Sequence, residues 1–107
     1  ILQTWRAHLG VDYAAPTGTP VRSVGQGIVD VAGSQGGFGN VVYIKHRNEH
    51  MTLYAHLSRI GVRKGQSVGQ GELIGAVGAT GWATGPHLHF ELWHKGKAIN
   101  PQHHIIF

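Results

Sequence analysis

A chain of 107 residues with one composition throughout has room for a single domain around a single core. Hydrophobic residues at 41% against charged residues at 13% exclude a disordered chain. The net charge of +4 comes from nine scattered Lys and Arg, so no basic stripe interleaved with aromatics offers itself to a nucleic acid, although the field suits a carboxylate-rich polymer.

Seventeen glycines against four prolines, with no Gly-X-Y period, point to many tight turns and bulges between short strands. No apolar run reaches roughly 18 residues, so no membrane span is expected within the chain. With no Cys there is neither a disulfide framework nor a thiolate site, which leaves His, Asp and Glu to bind any metal. The chain opens at Ile1 without Met or a signal peptide and is expected to be one domain, residues 1–107, of a longer protein.

The first chemical signal is His8-Leu-Gly-Val-Asp12. Residues four apart lie on one side of either a helix or a strand, so His8 and Asp12 can converge on one ion. Strand-length runs follow at Pro20–Val24, Gly27–Ala32, Asn40–His46, Met51–Leu57, Glu72–Val77 and His87–Trp93, too short and too alternating for helices. No stretch of ten or more residues has a convincing 3.6 period with caps, so the fold class expected is mainly β, antiparallel, with long loops. Two segments resemble each other, residues 18–33 and residues 65–78; each has Val, a Gly-Gln-Gly break, then an alternating strand. Duplication of a strand–turn–strand unit and convergence on one turn chemistry both account for this.

His46-Arg-Asn-Glu-His50 matches a His-x-x-Glu-His zinc peptidase pattern that works on a helix. Here it lies between two β-like runs, and Arg47-Asn-Glu reads as a hairpin tip, so His46 and His50 are taken as turn-flanking residues. Tyr54-Ala-His56-Leu-Ser58 closes the next run; alone, His56 reads as a structural histidine packed beside Tyr54. The strongest signal is Pro86-His87-Leu-His89-Phe-Glu91-Leu92. Alternation puts His87, His89, Glu91 and Trp93 on one face and Leu88, Phe90 and Leu92 on the other, so two imidazoles stand side by side in one cavity. His8, Asp12 and His89 then make a trio of zinc ligands with one exchangeable position. Two imidazoles and one carboxylate leave the ion one net positive charge, which depresses the pKa of bound water toward ~7. If His56 faces the same cavity, one of His56 and His87 is placed to take a proton from that water and the other to serve the developing oxyanion or the leaving amine.

Weaker candidates are Glu91, as an orienting partner or an ordinary ion pair, and Asn40, as a substrate contact or a turn residue. Trp5, Tyr13 and Trp82 are candidates to line a groove, with packing the commoner use of aromatics. His94, His103 and His104 carry no assignment.

Together, His-x-x-x-Asp, Tyr-Ala-His-Leu-Ser and Thr-Gly-Pro-His-Leu-His-Phe-Glu resemble the lysostaphin-like zinc endopeptidases of the peptidoglycan hydrolases, as do the flanking phrases at residues 12–21, 37–42 and 81–85. The resemblance covers nearly the whole chain. It implies an antiparallel β-sheet core of duplicated hybrid, barrel-sandwich type with a groove walled by loops. It also implies Zn2+ on His8, Asp12 and His89, catalytic histidines at His56 and His87, and cleavage of peptidoglycan stem peptides or cross-bridges in the cell envelope, periplasmic or extracellular. None of these five residues is substituted; Ala7-His8 departs from the common flank and touches loop detail alone. Such a domain is expected to act beside other domains of its protein. The bond expected is D-Ala–diaminopimelate, with a glycine bridge as the other option. The competing reading is a catalytically silent relative that binds the wall or a partner hydrolase, and its absence of a missing ligand counts against it.

Overall fold

The structure, a computed structural model, describes residues 3–6 and 10–101, with side chains from Gly10 onward. His8, His103 and His104 and the Trp5 side chain therefore lie outside the described residues. The order is β1 (Gln3–Arg6), β2 (Gly10–Ala14), β3 (Pro20–Arg22), β4 (Gly27–Gln35), a 3-10 turn at Gly36–Phe38, β5 (Gly39–Lys45), β6 (His50–Ile60), β7 (Ser67–Val68), β8 (Leu73–Val77), β9 (His87–His94) and β10 (Lys97–Ile99). Every pairing is antiparallel, in the order β1-β2-β9-β6-β5-β4-β7, with β10 on β9 and β8 joining both β3 and β6.

The mainly β fold is as expected, and all six anticipated runs are strands within a few residues of their expected ends. Four further strands, β1, β2, β7 and β10, lie outside those runs; β1, β7 and β10 are too short to show an alternation of their own, whereas β2 is as long as β8. Among the described residues no helix is long and apolar enough to cross a membrane.

β6 is the hub. Along one edge it pairs with β5; along the other its first half pairs with β9 and its last residues with β8. The two look-alike segments are joined reciprocally, β3 of the first on β8 of the second and β7 of the second on β4 of the first. Backbone bonds Ser23 N to Glu72 O at 2.9 Å and Gly71 N to Ser23 O at 2.8 Å hold one junction, and Val29 N to Gln66 O at 2.9 Å and Gly65 N to Val29 O at 2.7 Å the other. Each unit thus supplies the strand edge that the other lacks, which removes exposed donors and acceptors from both.

The principal core gathers Val29, Ile44, Tyr54, Leu57, Ile74, Phe90 and Leu92, among others, on one side of the sheet. A smaller cluster of Val41, Leu53 and Ala55 lies on the other side, with Val31, Phe38 and Tyr43 packed on it. The hairpin between β5 and β6 has Asn48 and Glu49 at its tip, both with φ 58, a left-handed pair that turns the chain in two residues. The His46 and His50 rings serve the turn separately. His46 Nδ1 donates to the Gln26 carbonyl at 2.7 Å, whereas the His50 ring stacks on His94 with centroids 4.3 Å apart. The helical zinc pattern is absent here because a two-residue turn replaces the helix it needs.

A buried polar chain crosses the core: His46 Nε2 lies 2.7 Å from Thr52 Oγ1, the Thr52 and Tyr54 hydroxyls are bonded at 2.9 Å, and Val24 N–H donates to the Tyr54 hydroxyl at 3.1 Å. Tyr54→Phe removes that acceptor and leaves buried donors unmatched, so it is expected to cost roughly 1–3 kcal/mol of stability, measured by urea unfolding. Burial lowers the His46 pKa, outweighing the bond to Gln26 that raises it. As pH falls below about 6.5 the unfolded chain takes up this proton before the folded one, so stability present above that pH is lost below it. The wild-type stability curve is expected to fall with acid more steeply than that of His46→Gln.

Candidate active site

Residues directly opposite in antiparallel strands project to the same face. Asp12 pairs with His89, and His89 with Ala55, so Asp12 and His89 share the face of the small Leu53–Ala55 cluster. Period-two alternation carries His87 and Glu91 to that face, and Phe90 and Leu92 to the principal core, as read from the sequence. Gly10 opens β2 with φ +99, and a Cβ there would sit 2.3 Å from the Phe90 carbonyl oxygen; glycine permits the close approach that seats β2 on β9.

Strict alternation would send His56 after Tyr54 into the core. A bulge intervenes. Val42 pairs with Tyr54 and Asn40 with Leu57, so β6 carries one residue more than β5 between these pairs, and His56 takes φ 62. A left-handed non-glycine residue costs of order 1–3 kcal/mol, which the surrounding pairing must hold in place. Leu57 takes the core side, and His56 turns to the face of His89.

The three imidazoles converge. Ring centroids of His56 and His87 are 4.8 Å apart, and those of His56 and His89 6.0 Å. His89 Nδ1 lies 2.7 Å from Asp12 Oδ1 and its Nε2 2.7 Å from Glu91 Oε2, while the Trp93 indole N–H donates to Glu91 Oε1 at 2.7 Å. His87 Nε2 stands 3.8 Å from the same Asp12 oxygen. Phe38 stacks on His89 at 6.0 Å and 22°. Asp12, Phe38 and the three imidazoles line a cavity of about 750 Å³, with Trp82 and Thr84 at its wall.

Protonation follows from the partners. Desolvation would lower the His89 pKa, but the hydrogen bonds and charges of Glu91 and Asp12 raise it overall, since each ring nitrogen faces a carboxylate oxygen. For His56 burial wins: its pKa is lowered, despite the opposing bond from Nδ1 to the Thr80 carbonyl at 2.7 Å. A carbonyl accepts only, so His56 Nδ1 carries the proton and Nε2 the lone pair. His87 is oriented in the same way, Nδ1–H donating to Gly85 O at 2.9 Å. Both rings therefore offer Nε2 as the working nitrogen.

Of the residues singled out in the sequence, Asp12, His56, His87, His89 and Trp82 line one cavity. Trp82 is 88% exposed at the rim, its backbone N–H donating to Gly37 O at 2.9 Å and its ring lying where a Cβ on Gly37 would be. Two of the groove candidates do not line this cavity. Tyr13, next to Asp12 on β2, points to the opposite face and packs edge-on against Phe90 at 6.5 Å, as period two demands. Asn40 turns its side chain inward, Nδ2 donating to Leu57 O at 3.0 Å. Glu91 is the ring-orienting partner of His89. Phe38 and Thr80 went unnoticed; Phe38 stood inside the matching phrase at residues 37–42, whereas nothing in the sequence marks Thr80. Among the described residues no three His, Asp or Glu form a ready metal cluster; Asp12 and His89 are two donors in contact.

The profile of peptidase family M23 matches residues 6–101. The chain is 54% identical over 101 residues to the DD-carboxypeptidase/endopeptidase Mpg of Neisseria meningitidis, covering 94% of this chain and 23% of that protein. It thus spans about a quarter of the length of such curated relatives. A zinc-containing peptidase from Vibrio cholerae superposes with a TM-score of 0.83 at 44% identity, over 86% of this chain and 28% of that one. The catalytic domain of the antimicrobial peptidase lysostaphin from Staphylococcus simulans gives a TM-score of 0.83 at 36% identity, over 89% of this chain and 76% of that one.

In the metal-free chain His89 is expected to titrate above, and His56 below, the ordinary imidazole value of about 6.5. Glu91→Gln removes one charge partner and is expected to bring His89 down; histidine-resolved NMR titration measures both.

Proposed function

The chain belongs to peptidase family M23, and on that premise we propose that it is a zinc-dependent endopeptidase cutting the peptide cross-links of bacterial peptidoglycan. The observation that carries this reading is the convergence of Asp12, His56, His87 and His89 on one cavity from three strands. An imidazole nitrogen and a carboxylate oxygen in contact are donors of the type zinc takes, and three protein ligands with one open position make a catalytic site. Asp12 and His89 would hold the ion with His8, which lies outside the described residues, as third ligand. Glu91 fits this use of His89. With Nε2–H donated to Glu91, Nδ1 would be the nitrogen left to hold the ion, with the ring already oriented.

When bound, zinc supplies Lewis acidity and lowers the pKa of water in the site. The remaining chemistry belongs to the chain. His56, kept neutral by burial, presents the bare Nε2 that takes the proton of the attacking water. His87, its Nδ1–H held by the Gly85 carbonyl and its Nε2 3.8 Å from the Asp12 carboxylate, serves the developing oxyanion and the departing amine in its imidazolium form, in which Nε2 also carries a proton to donate. Phe38 and the exposed face of Trp82 wall the groove in which a peptide strand lies. The name of the Neisseria relative, a DD-carboxypeptidase/endopeptidase, supports a bond between D-configured centres, for which we take a D-Ala–diaminopimelate cross-link in the cell envelope, and the greater length of that relative supports work alongside further domains.

One zinc per chain is expected, lost in His8→Ala, Asp12→Ala and His89→Ala. His87→Ala is expected to keep the metal while hydrolysis of purified sacculi falls about 10²–10⁴-fold. Mass spectrometry of fragments released from defined muropeptides identifies the bond. A wild-type chain that takes up no zinc would end the reading, and one that takes it up yet leaves sacculi intact would favour a silent binding role.

A further inference from the structure

His56 is, among the described residues, the one non-glycine strand residue with positive φ, and its working tautomer rests on a carbonyl supplied by another loop. That carbonyl belongs to Thr80, between β8 and β9, and what holds Thr80 there is specific. Its hydroxyl donates to the Leu57 carbonyl at 2.7 Å and accepts the Asn40 N–H at 3.1 Å. Asn40 Nδ2 donates to the same Leu57 carbonyl at 3.0 Å. Leu57 resumes the pairing just after the bulge, opposite Asn40 on one edge and Val77 on the other, and two side chains occupy its carbonyl. Thr80 therefore grips two consecutive residues of β6, the His56 ring through its carbonyl and the Leu57 backbone through its hydroxyl.

The rest of the loop is seated by backbone contact. A Cβ on Gly39 would lie 2.4 Å from the Thr80 carbonyl carbon, and one on Gly81 would lie 2.4 Å from both Gly37 O and Gly39 N. Both glycines have positive φ, +64 and +74, so the two loops pack main chain to main chain with no room for a side chain between them.

We propose that Thr80, with Asn40 behind it, is the positioning residue that fixes the tautomer and aim of His56. The inference rests on the reading of His56 as the proton acceptor given above. Loss of the hydroxyl leaves the Asn40 N–H without its acceptor and Leu57 O with one donor instead of two, so the Thr80 carbonyl is no longer held against Nδ1. The neutral ring then exchanges its proton between nitrogens, and a fraction of molecules offers no lone pair to water.

Thr80→Val, nearly isosteric, tests this against Thr80→Ser, which keeps the hydroxyl. With zinc-loaded chain and a cross-linked muropeptide dimer, Thr80→Val is expected to lower kcat about 10–100-fold, the range seen when orienting partners are removed, with KM and zinc stoichiometry unchanged; Thr80→Ser restores most of kcat. Independently, ring ¹⁵N shifts of His56 in the metal-free chain are expected to report a single Nδ1–H tautomer in wild type and Thr80→Ser, and a mixture in Thr80→Val. Should Thr80→Val not fold, Asn40→Ala, which removes one of the two donors to Leu57 O, is expected to move tautomer and kcat in the same direction by less. A Thr80→Val chain with an undisturbed tautomer and full kcat would overturn the proposal, as would Thr80→Ser failing equally. If the wild type neither binds zinc nor cleaves, the functional reading falls, while the tautomer measurement still decides whether Thr80 holds the ring.

Discussion

One extra residue in β6 governs this molecule. Without the bulge between Tyr54 and Leu57, alternation would bury the His56 imidazole beside Tyr54, among Phe90 and Ile44, where a polar ring finds no matching partner. With it, the strand changes phase at a single left-handed residue, Leu57 fills the core, and His56 joins His87 and His89. The backbone distortion is stabilised from three sides, by pairing with β5, by pairing with β8 and by the side chains of Thr80 and Asn40. A strained residue held this firmly is a feature of preorganised sites, since the geometry is set before any substrate arrives.

The two faces of the sheet divide the labour. One face carries the larger apolar cluster, and the look-alike units extend the sheet by reciprocal strand exchange. The other face has a small apolar floor, Val41, Leu53 and Ala55, and above it a row of polar groups that are each engaged. His89 stands at the centre of that row between two carboxylates, buried enough that its partners decide its charge. Glu91 is itself tied down by Trp93, so the histidine is held by a carboxylate that cannot swing away.

The loops add what the sheet cannot. Gly36–Phe38 brings an aromatic ring onto His89, and the loop after β8 brings the Thr80 carbonyl to His56 and the Trp82 indole to the rim. Their mutual packing depends on the glycines at 39 and 81, where any side chain would meet the backbone of the facing loop, while Gly37 leaves room for the Trp82 ring. The glycine-rich composition is thus concentrated where backbone must lie on backbone, as well as in the turns.

Much of this was legible in the chain by itself, because local periodicity is a property of the residues. Alternation in residues 87–93 determined which side chains of β9 face the site, and the two β-like runs around Arg47-Asn-Glu excluded the helical zinc motif. The recurring family phrases named Asp12, His56, His87 and His89. Of the two uses the sequence left open for Tyr13, groove or packing, the structure has packing, because it stands one residue from Asp12 on β2 and so takes the opposite face. What the tertiary structure alone decided is the phase of β6 at His56, the inward turn of Asn40 and the part played by Thr80. Each depends on hydrogen bonds between segments 17 to 24 residues apart, and a bulge is specified by the register of two strands against each other, which no window along a single strand contains.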